Sequence, residues 1–150
     1  MPSERSGPVA GILLAAGTSS RMGRNKLLFE LNGESVLRGA VRRAIDGGLS
    51  PLIVVLGHEP DEARRELEDL PCRWALNPLY AQGIGSSLKR GVEDLPSRAR
   101  AAMVVLADMP FVSPQMIAVM IARYRATAAP LVVSDYEGVI ASSSGKRLRS

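Results

Sequence analysis

The chain has 150 residues, of which 46% are hydrophobic, 4% aromatic and 23% charged, a composition that suits one α/β or all-α domain and leaves too little length for two ordinary ones. Its 19 Lys and Arg against 15 Asp and Glu give a formal charge of +4, but Lys146, Arg147 and Arg149 fall in the last ten residues with no acid beside them. Residues 1–140 therefore carry 16 cations against 15 anions, and with only two Phe, three Tyr and one Trp they lack the basic, aromatic-studded face of a nucleic-acid binder.

Cys72 stands alone, which excludes an internal disulfide framework and a Cys-clustered zinc site and points to a reduced compartment. Residues 1–7 hold an acid and a Pro where a secretory leader would be basic, and the first apolar run is too short to span a bilayer. The expectation is a cytoplasmic protein with no membrane partner. Residues 1–8 are expected to be a disordered N-terminus.

In chain order, residues 9–15 form the first apolar run, and continuous rather than alternating apolarity predicts a strand covered on both faces. A helix follows over 35–45, where Val36, Leu37, Ala40, Val41, Ala44 and Ile45 repeat at helical spacing between a capping Ser35 and a terminating Gly47-Gly48 pair. Residues 52–56 read as a second buried strand, 60–70 as a short helix, and 72–76 as an alternating strand nearer an edge. That alternation predicts Cys72 and Trp74 to face the core. His58, just past the second strand, reads as a loop or cap residue. A helix over 86–95 and a strand over 102–107 come next. Ser113 then caps a helix with Pro114 at its first position and an apolar stripe of Ile117, Met120, Ile121 and Tyr124, before a last buried strand at 131–133. Strands alternating with helices predict a doubly wound, mostly parallel sheet with helices on both faces.

In such a sheet, ligands bind beyond the carboxyl ends of the strands, so the loops there are where chemistry is expected. After Leu14, the stretch Ala15 to Lys26 combines small residues with Arg21, Arg24 and Lys26 and contains no acid. By composition it is a phosphate loop or a solvated basic turn; its spacing fits neither a Walker A loop nor GxGxxG. The loop after 102–107 begins with Asp108, a lone carboxylate placed to hold a substrate-borne Mg²⁺ or to form a turn. Between them, Asn77 to Leu88 places Gly83, Gly85, Ser86 and Ser87 around a helix start, where backbone amides hold an anion or a base edge, or where Ser86 or Ser87 is the N-cap.

Together, Leu-Ala-Ala-Gly-x-Ser-x-Arg-Met-Gly-x-x-Lys at 14–26, Asn-Pro-x4-Gly-x-Gly-Ser-Ser-Leu at 77–88 and Leu-Ala-Asp-Met-Pro at 106–110 closely resemble the molybdenum-cofactor cytidylyltransferases. These belong to the larger group of MobA-like nucleotidyltransferases. The resemblance covers residues 9–138 and implies a Rossmann-like nucleotidyltransferase fold and Mg²⁺-dependent transfer of CMP from CTP to the terminal phosphate of molybdopterin, releasing pyrophosphate. It implies that Leu14, Ala15, Ala16 and Gly17 receive the nucleotide, that Lys26 and Arg21 hold its phosphates, that Asn77, Gly83, Ser86 and Ser87 contact the nucleoside, and that Asp108 binds Mg²⁺. Lys26, Arg21 and Asp108 would then be the catalytic set. The Ala15-Ala16-Gly17 form resembles the cytidylyl branch, with GTP in place of CTP as the alternative nucleotide and a sugar phosphate as the alternative acceptor. A molybdoenzyme or its chaperone is the protein partner implied.

The resemblance stops near residue 140. The family would continue with further helices and strands and a second acidic residue, whereas 141–150 lack apolar periodicity and read as a disordered basic tail. The expectation is a nucleotidyltransferase domain over 9–140, truncated at its C-terminus, with a non-catalytic nucleotide-binding remnant as the alternative.

Overall fold

Four runs of the chain pair side by side because their backbone groups find partners only in a ladder, and the two innermost are apolar on both faces. In the computed structural model, which describes residues 7–16, 26–58, 60–99, 101–109, 111–126, 131–135 and 138–142, these runs are β1 (Ala10–Ala15), β4 (Leu52–Leu56), β5 (Arg73–Leu76) and β6 (Ala102–Leu106). They form one parallel sheet in the order β5-β4-β1-β6. In register, Leu14 of β1 lies opposite Val55 on one side and Leu106 on the other. Between β1 and β4 come a 3₁₀ turn at Lys26–Leu28, a small antiparallel pair β2 (Glu30–Leu31) and β3 (Glu34–Ser35), and helix α1 (Val36–Asp46). Helices α2 (Pro60–Leu67), α3 (Ile84–Glu93) and α4 (Pro114–Ala126) follow β4, β5 and β6.

Alternate residues of β1 point into two separate cores. Leu13 and Ala15 join Leu37 and Val41 of α1, Ala63 and Leu67 of α2, and Ile117 and Ile121 of α4 on one face. Ile12 and Leu14 join Ile53, Val55 and Ala75 under Tyr80 and Leu95 on the other, where α3 lies. The fold is thus an α/β, Rossmann-like sheet with helices on both faces. Among the described residues no helix is long and apolar enough to cross a membrane.

The helix caps are those the residue types dictate. Ser35 Oγ accepts a hydrogen bond from the Arg38 N–H at 3.0 Å, and Ser113 Oγ accepts from the Met116 N–H at 3.1 Å, each satisfying a first-turn donor that has no partner inside its own helix. The start of α1 is also tied across to α2 and the turn after it. The Ser35 hydroxyl donates to Glu66 Oε2 at 3.0 Å, and the Arg38 guanidinium donates to both Asp69 carboxylate oxygens at 2.7 Å and to the Glu66 carbonyl at 2.8 Å. The Arg38 fork holds the Asp69 carboxyl at about 2, below the usual carboxylate range.

Several expectations are corrected. Helix α2 ends at Leu67 rather than 70, because the Leu70 N–H turns back to the Leu67 carbonyl and Pro71 cannot continue a helix. Helix α3 begins at Ile84, not 86, with Gly83 as its N-cap and no side-chain cap, so neither Ser86 nor Ser87 plays that part. Trp74 faces outward on the edge strand β5, 40% exposed, with the Arg64 guanidinium 4.1 Å from its ring centroid. A cation over its face covers the indole in place of a core. The run at 131 does not extend the parallel sheet: β7 (Leu131–Asp135) pairs antiparallel with β8 (Gly138–Ser142), Val133 opposite Ile140. The two runs are joined by a connection too short for a parallel crossover, so they can only form a hairpin. Strand β8 passes the expected boundary at 140, while the rest of the expected tail, 143–150, and residues 1–6 lie outside the described residues.

Candidate functional site

The strand order reverses between β1 and β6. From β1 the chain builds outward through β4 to β5, then returns across the sheet by way of α3, on the opposite face from α1 and α2, to β6, so β1 and β6 lie side by side where the direction of winding reverses, and ligands bind beyond strand ends at such a point. The Ala107 N–H donates to the Leu14 carbonyl at 3.1 Å and holds the two strand ends together there. A cavity of about 490 Å³ occupies this crevice, a volume suited to a small organic ligand.

Three loops and the turn after β1 line it. From the end of β1 and the residue after it come Leu14, Ala15 and Ala16, all buried, two of them with side chains of a single methyl. Lys26 and Leu27 of the 3₁₀ turn form another part of the wall. The loop after β5 and the first turn of α3 supply Tyr80, Ala81, Gly83, Ile84 and Ser87, and the end of β6 supplies Leu106 and the exposed Asp108. Of the expected site residues, Leu14, Ala15, Ala16, Lys26, Gly83, Ser87 and Asp108 therefore meet at one cavity. Gly17 and Arg21 lie outside the described residues.

Asn77 and Ser86 are placed differently. Asn77 is 4% exposed, and its side-chain amide donates to Ser86 Oγ at 3.0 Å and to Ser87 Oγ at 2.9 Å while its Oδ1 accepts from the Leu79 N–H at 3.0 Å. Ser86 Oγ also lies within hydrogen-bond reach of the Gly83 carbonyl at 2.8 Å and the Leu79 carbonyl at 3.0 Å. Both residues thus brace the loop from within, and Ser87 is the member of the network that reaches the cavity. Gly83 makes the turn possible: its φ of +107° lies where a side chain would strain the backbone.

The cavity also takes in Leu27, Tyr80, Ala81, Ile84 and Leu106, which no motif in the sequence marks as site residues. Tyr80 lies among the four unspecified residues, 79–82, of the Asn77–Leu88 pattern, and no periodicity marks it. Its phenol oxygen is 3.2 Å from Nδ1 of His58, which lies in the loop after β4 as expected and meets a residue of the cavity wall there. Burial pushes the half-buried Cys72 thiol up from its ordinary value, which keeps it protonated at neutral pH, and it does not line the cavity.

Comparison with known proteins gives the following. The family model described as MobA-like NTP transferase domain matches residues 11–143. The bifunctional protein GlmU of Sorangium cellulosum is 29% identical over 95% of this chain and 32% of its own length. The nicotine blue oxidoreductase of Paenarthrobacter nicotinovorans is 31% identical over 95% of this chain and 64% of its own. Among solved structures, Rv0371c of Mycobacterium tuberculosis H37Rv matches with a TM-score of 0.75 at 26% identity, covering 88% of this chain and 67% of that one. The chain spans about a third of the length of the GlmU relatives it matches.

Proposed function

We propose that this chain, which belongs to the MobA-like NTP transferase family, transfers CMP from CTP to the terminal phosphate of a molybdopterin-type acceptor and releases pyrophosphate. The observation that supports this reading is the convergence of the three loops on one cavity that holds both a cation, Lys26, and a carboxylate, Asp108. The small residues Ala15 and Ala16, beside Leu14, let the nucleotide approach the backbone, and Gly17 is assigned to the same role. Lys26 and Arg21 take the phosphates. Ser87, oriented by Asn77 and flanked by Gly83 and Ser86, meets the nucleoside; because Ser87 Oγ accepts the Asn77 amide, its own proton is directed elsewhere.

The reaction is an in-line displacement in which an acceptor phosphate oxygen bonds to the α-phosphorus as the bond to the pyrophosphate oxygen breaks. No bond to the protein forms. Negative charge grows on the leaving pyrophosphate, and a fixed ammonium at Lys26 lowers the barrier because that charge is larger in the transition state than in the bound triphosphate. Among the described residues no three His, Cys, Asp or Glu side chains group as a metal cage, so Asp108 fits an ion that arrives on the triphosphate, as Mg²⁺ commonly does. Bound there, Mg²⁺ would neutralise phosphate charge.

Calorimetric titration of the chain with CTP, GTP, ATP and UTP in Mg²⁺, followed by pyrophosphate release with molybdopterin, tests the proposal. Binding of CTP with release on adding molybdopterin is expected. Release with a sugar phosphate but not molybdopterin would overturn the acceptor and keep the transfer; no binding of any nucleotide would overturn both.

A further inference from the structure

Tyr80 forms one wall of the cavity and is held at both ends. At its root, a Cβ added to Gly57 would stand 2.6 Å from Tyr80 Cβ, 2.8 Å from its Cγ and 3.0 Å from Ala16 Cβ, so the ring base is pressed into the junction of the β1 and β4 ends. At its tip, the phenol oxygen is 3.2 Å from His58 Nδ1, and the two rings lie 5.9 Å apart at 56°. The side chain therefore spans from the β5 loop to the end of β4 with both torsions constrained. Its ring packs against the core formed by Leu14, Ala16, Val55 and their neighbours, yet it is only half-buried.

A ring fixed in this way is a preorganised surface, because its rotamer freedom is lost in folding rather than in ligand binding. The complementary part of a nucleotide is its planar base. The phosphates are met by charge at Lys26, and a phenol offers them little, whereas aromatic stacking on a base contributes roughly tenfold or more per contact and does not depend on which base it is. We propose that Tyr80 is a nucleobase-binding residue whose ring receives the base, that His58 is a positioning residue acting through the phenol oxygen, and that Gly57 is the space that lets the ring seat. This rests on the reading of the cavity as a nucleoside triphosphate site.

The test uses the full chain with CTP and GTP as probes in Mg²⁺. Tyr80→Leu keeps bulk and removes the planar face, so it should weaken both nucleotides by about tenfold or more, by similar factors, with the loss in KM rather than kcat. Tyr80→Phe and His58→Ala should each weaken binding by about two- to fivefold with little change in Tm, and the double variant should be no worse than either alone. Wild-type affinity in Tyr80→Leu, while the parent binds both nucleotides, would overturn the role of Tyr80 and leave the triphosphate site standing. Additive losses in the double variant would overturn the positioning role of His58. Failure of the parent chain to bind either nucleotide would overturn the site and this inference together.

Discussion

Replacing Asn77 by Ala separates a bracing role from a contact role. Three hydrogen bonds disappear, two donated by the amide to Ser86 and Ser87 and one accepted from the Leu79 N–H. Each is worth about 1 kcal/mol net, and a buried partner left unsatisfied costs about 1–3 kcal/mol. Ser87 is 4% exposed and bears that penalty, whereas the half-buried Ser86 keeps carbonyl partners at Gly83 and Leu79. The sum, reduced where water enters the vacated space, is roughly 2–4 kcal/mol out of the ~5–15 kcal/mol typical of a domain. At about 2–4 °C per kcal/mol for a chain of this size, Tm should fall by about 5–15 °C. Thermal unfolding with and without CTP and Mg²⁺, beside calorimetric titration, measures it. Because the effect on the cavity passes through Ser87, the loss in CTP affinity should match that of Ser87→Ala. An unchanged Tm with a large loss of CTP affinity would refute the reasoning, since the amide would then be spending its bonds on the ligand.

Lys26→Ala and Asp108→Ala change exposed side chains, so Tm should hold while kcat/KM for pyrophosphate release falls on the order of 100-fold or more; undiminished turnover would remove that residue from the mechanism. Gly91→Ala sets two effects against each other: helix propensity gains about 1 kcal/mol, but the new Cβ would stand 2.5 Å from Ile12 Cγ2 and 3.2 Å from Val55 Cγ2, and overpacking of that kind costs about 1–3 kcal/mol. A Tm lower by a few degrees is expected, and a higher Tm would show that α3 shifts at no cost. Asp69, held at about 2 by Arg38, binds its proton less readily folded than unfolded, where a carboxyl sits near 3.9, so its contribution is present above about pH 4 and is lost as pH falls toward 2. Acid unfolding of Asp69→Asn should be flatter in that window, more clearly at low salt because the pair is exposed; identical slopes for parent and variant would contradict it.

Strands β1 and β4 were legible because burial on both faces leaves a continuous apolar run, and β6, at an edge of the described sheet, because all its residues are apolar. Residues 52–56 match β4 to the residue, and β1 and β6 differ by one residue at an end. Caps were legible at Ser35 and Ser113 because a hydroxyl before an apolar stripe has a local partner three residues on. What depends on distant neighbours was not. Trp74 occupies an inward position by alternation alone, but β5 is the edge strand, and the α2 side chain that covers it, Arg64, is ten residues away in sequence. Tyr80 acquires its place only when β1, β4 and β5 align, since Gly57, His58 and Ala16 come from two other strand ends. The meeting of Leu14, Lys26, Ser87 and Asp108 was legible for the opposite reason: a parallel sheet puts every strand's carboxyl end on the same side.

Among the cavity's described lining residues Lys26 is the one basic and Asp108 the one acidic side chain, so their formal charges cancel, while a nucleoside triphosphate brings about −3 to −4. Two charges of opposite sign on separate loops cannot by themselves compensate that anion, and burying it uncompensated is costly. On the proposed reading, Asp108 therefore works with an ion on the triphosphate, and Lys26 works with the arginines of the loop after β1. If so, CTP affinity falls at least about tenfold when Mg²⁺ is chelated, and in Asp108→Asn that dependence is largely lost; equal affinity with and without Mg²⁺ in the parent chain would place the compensating charge in the protein alone.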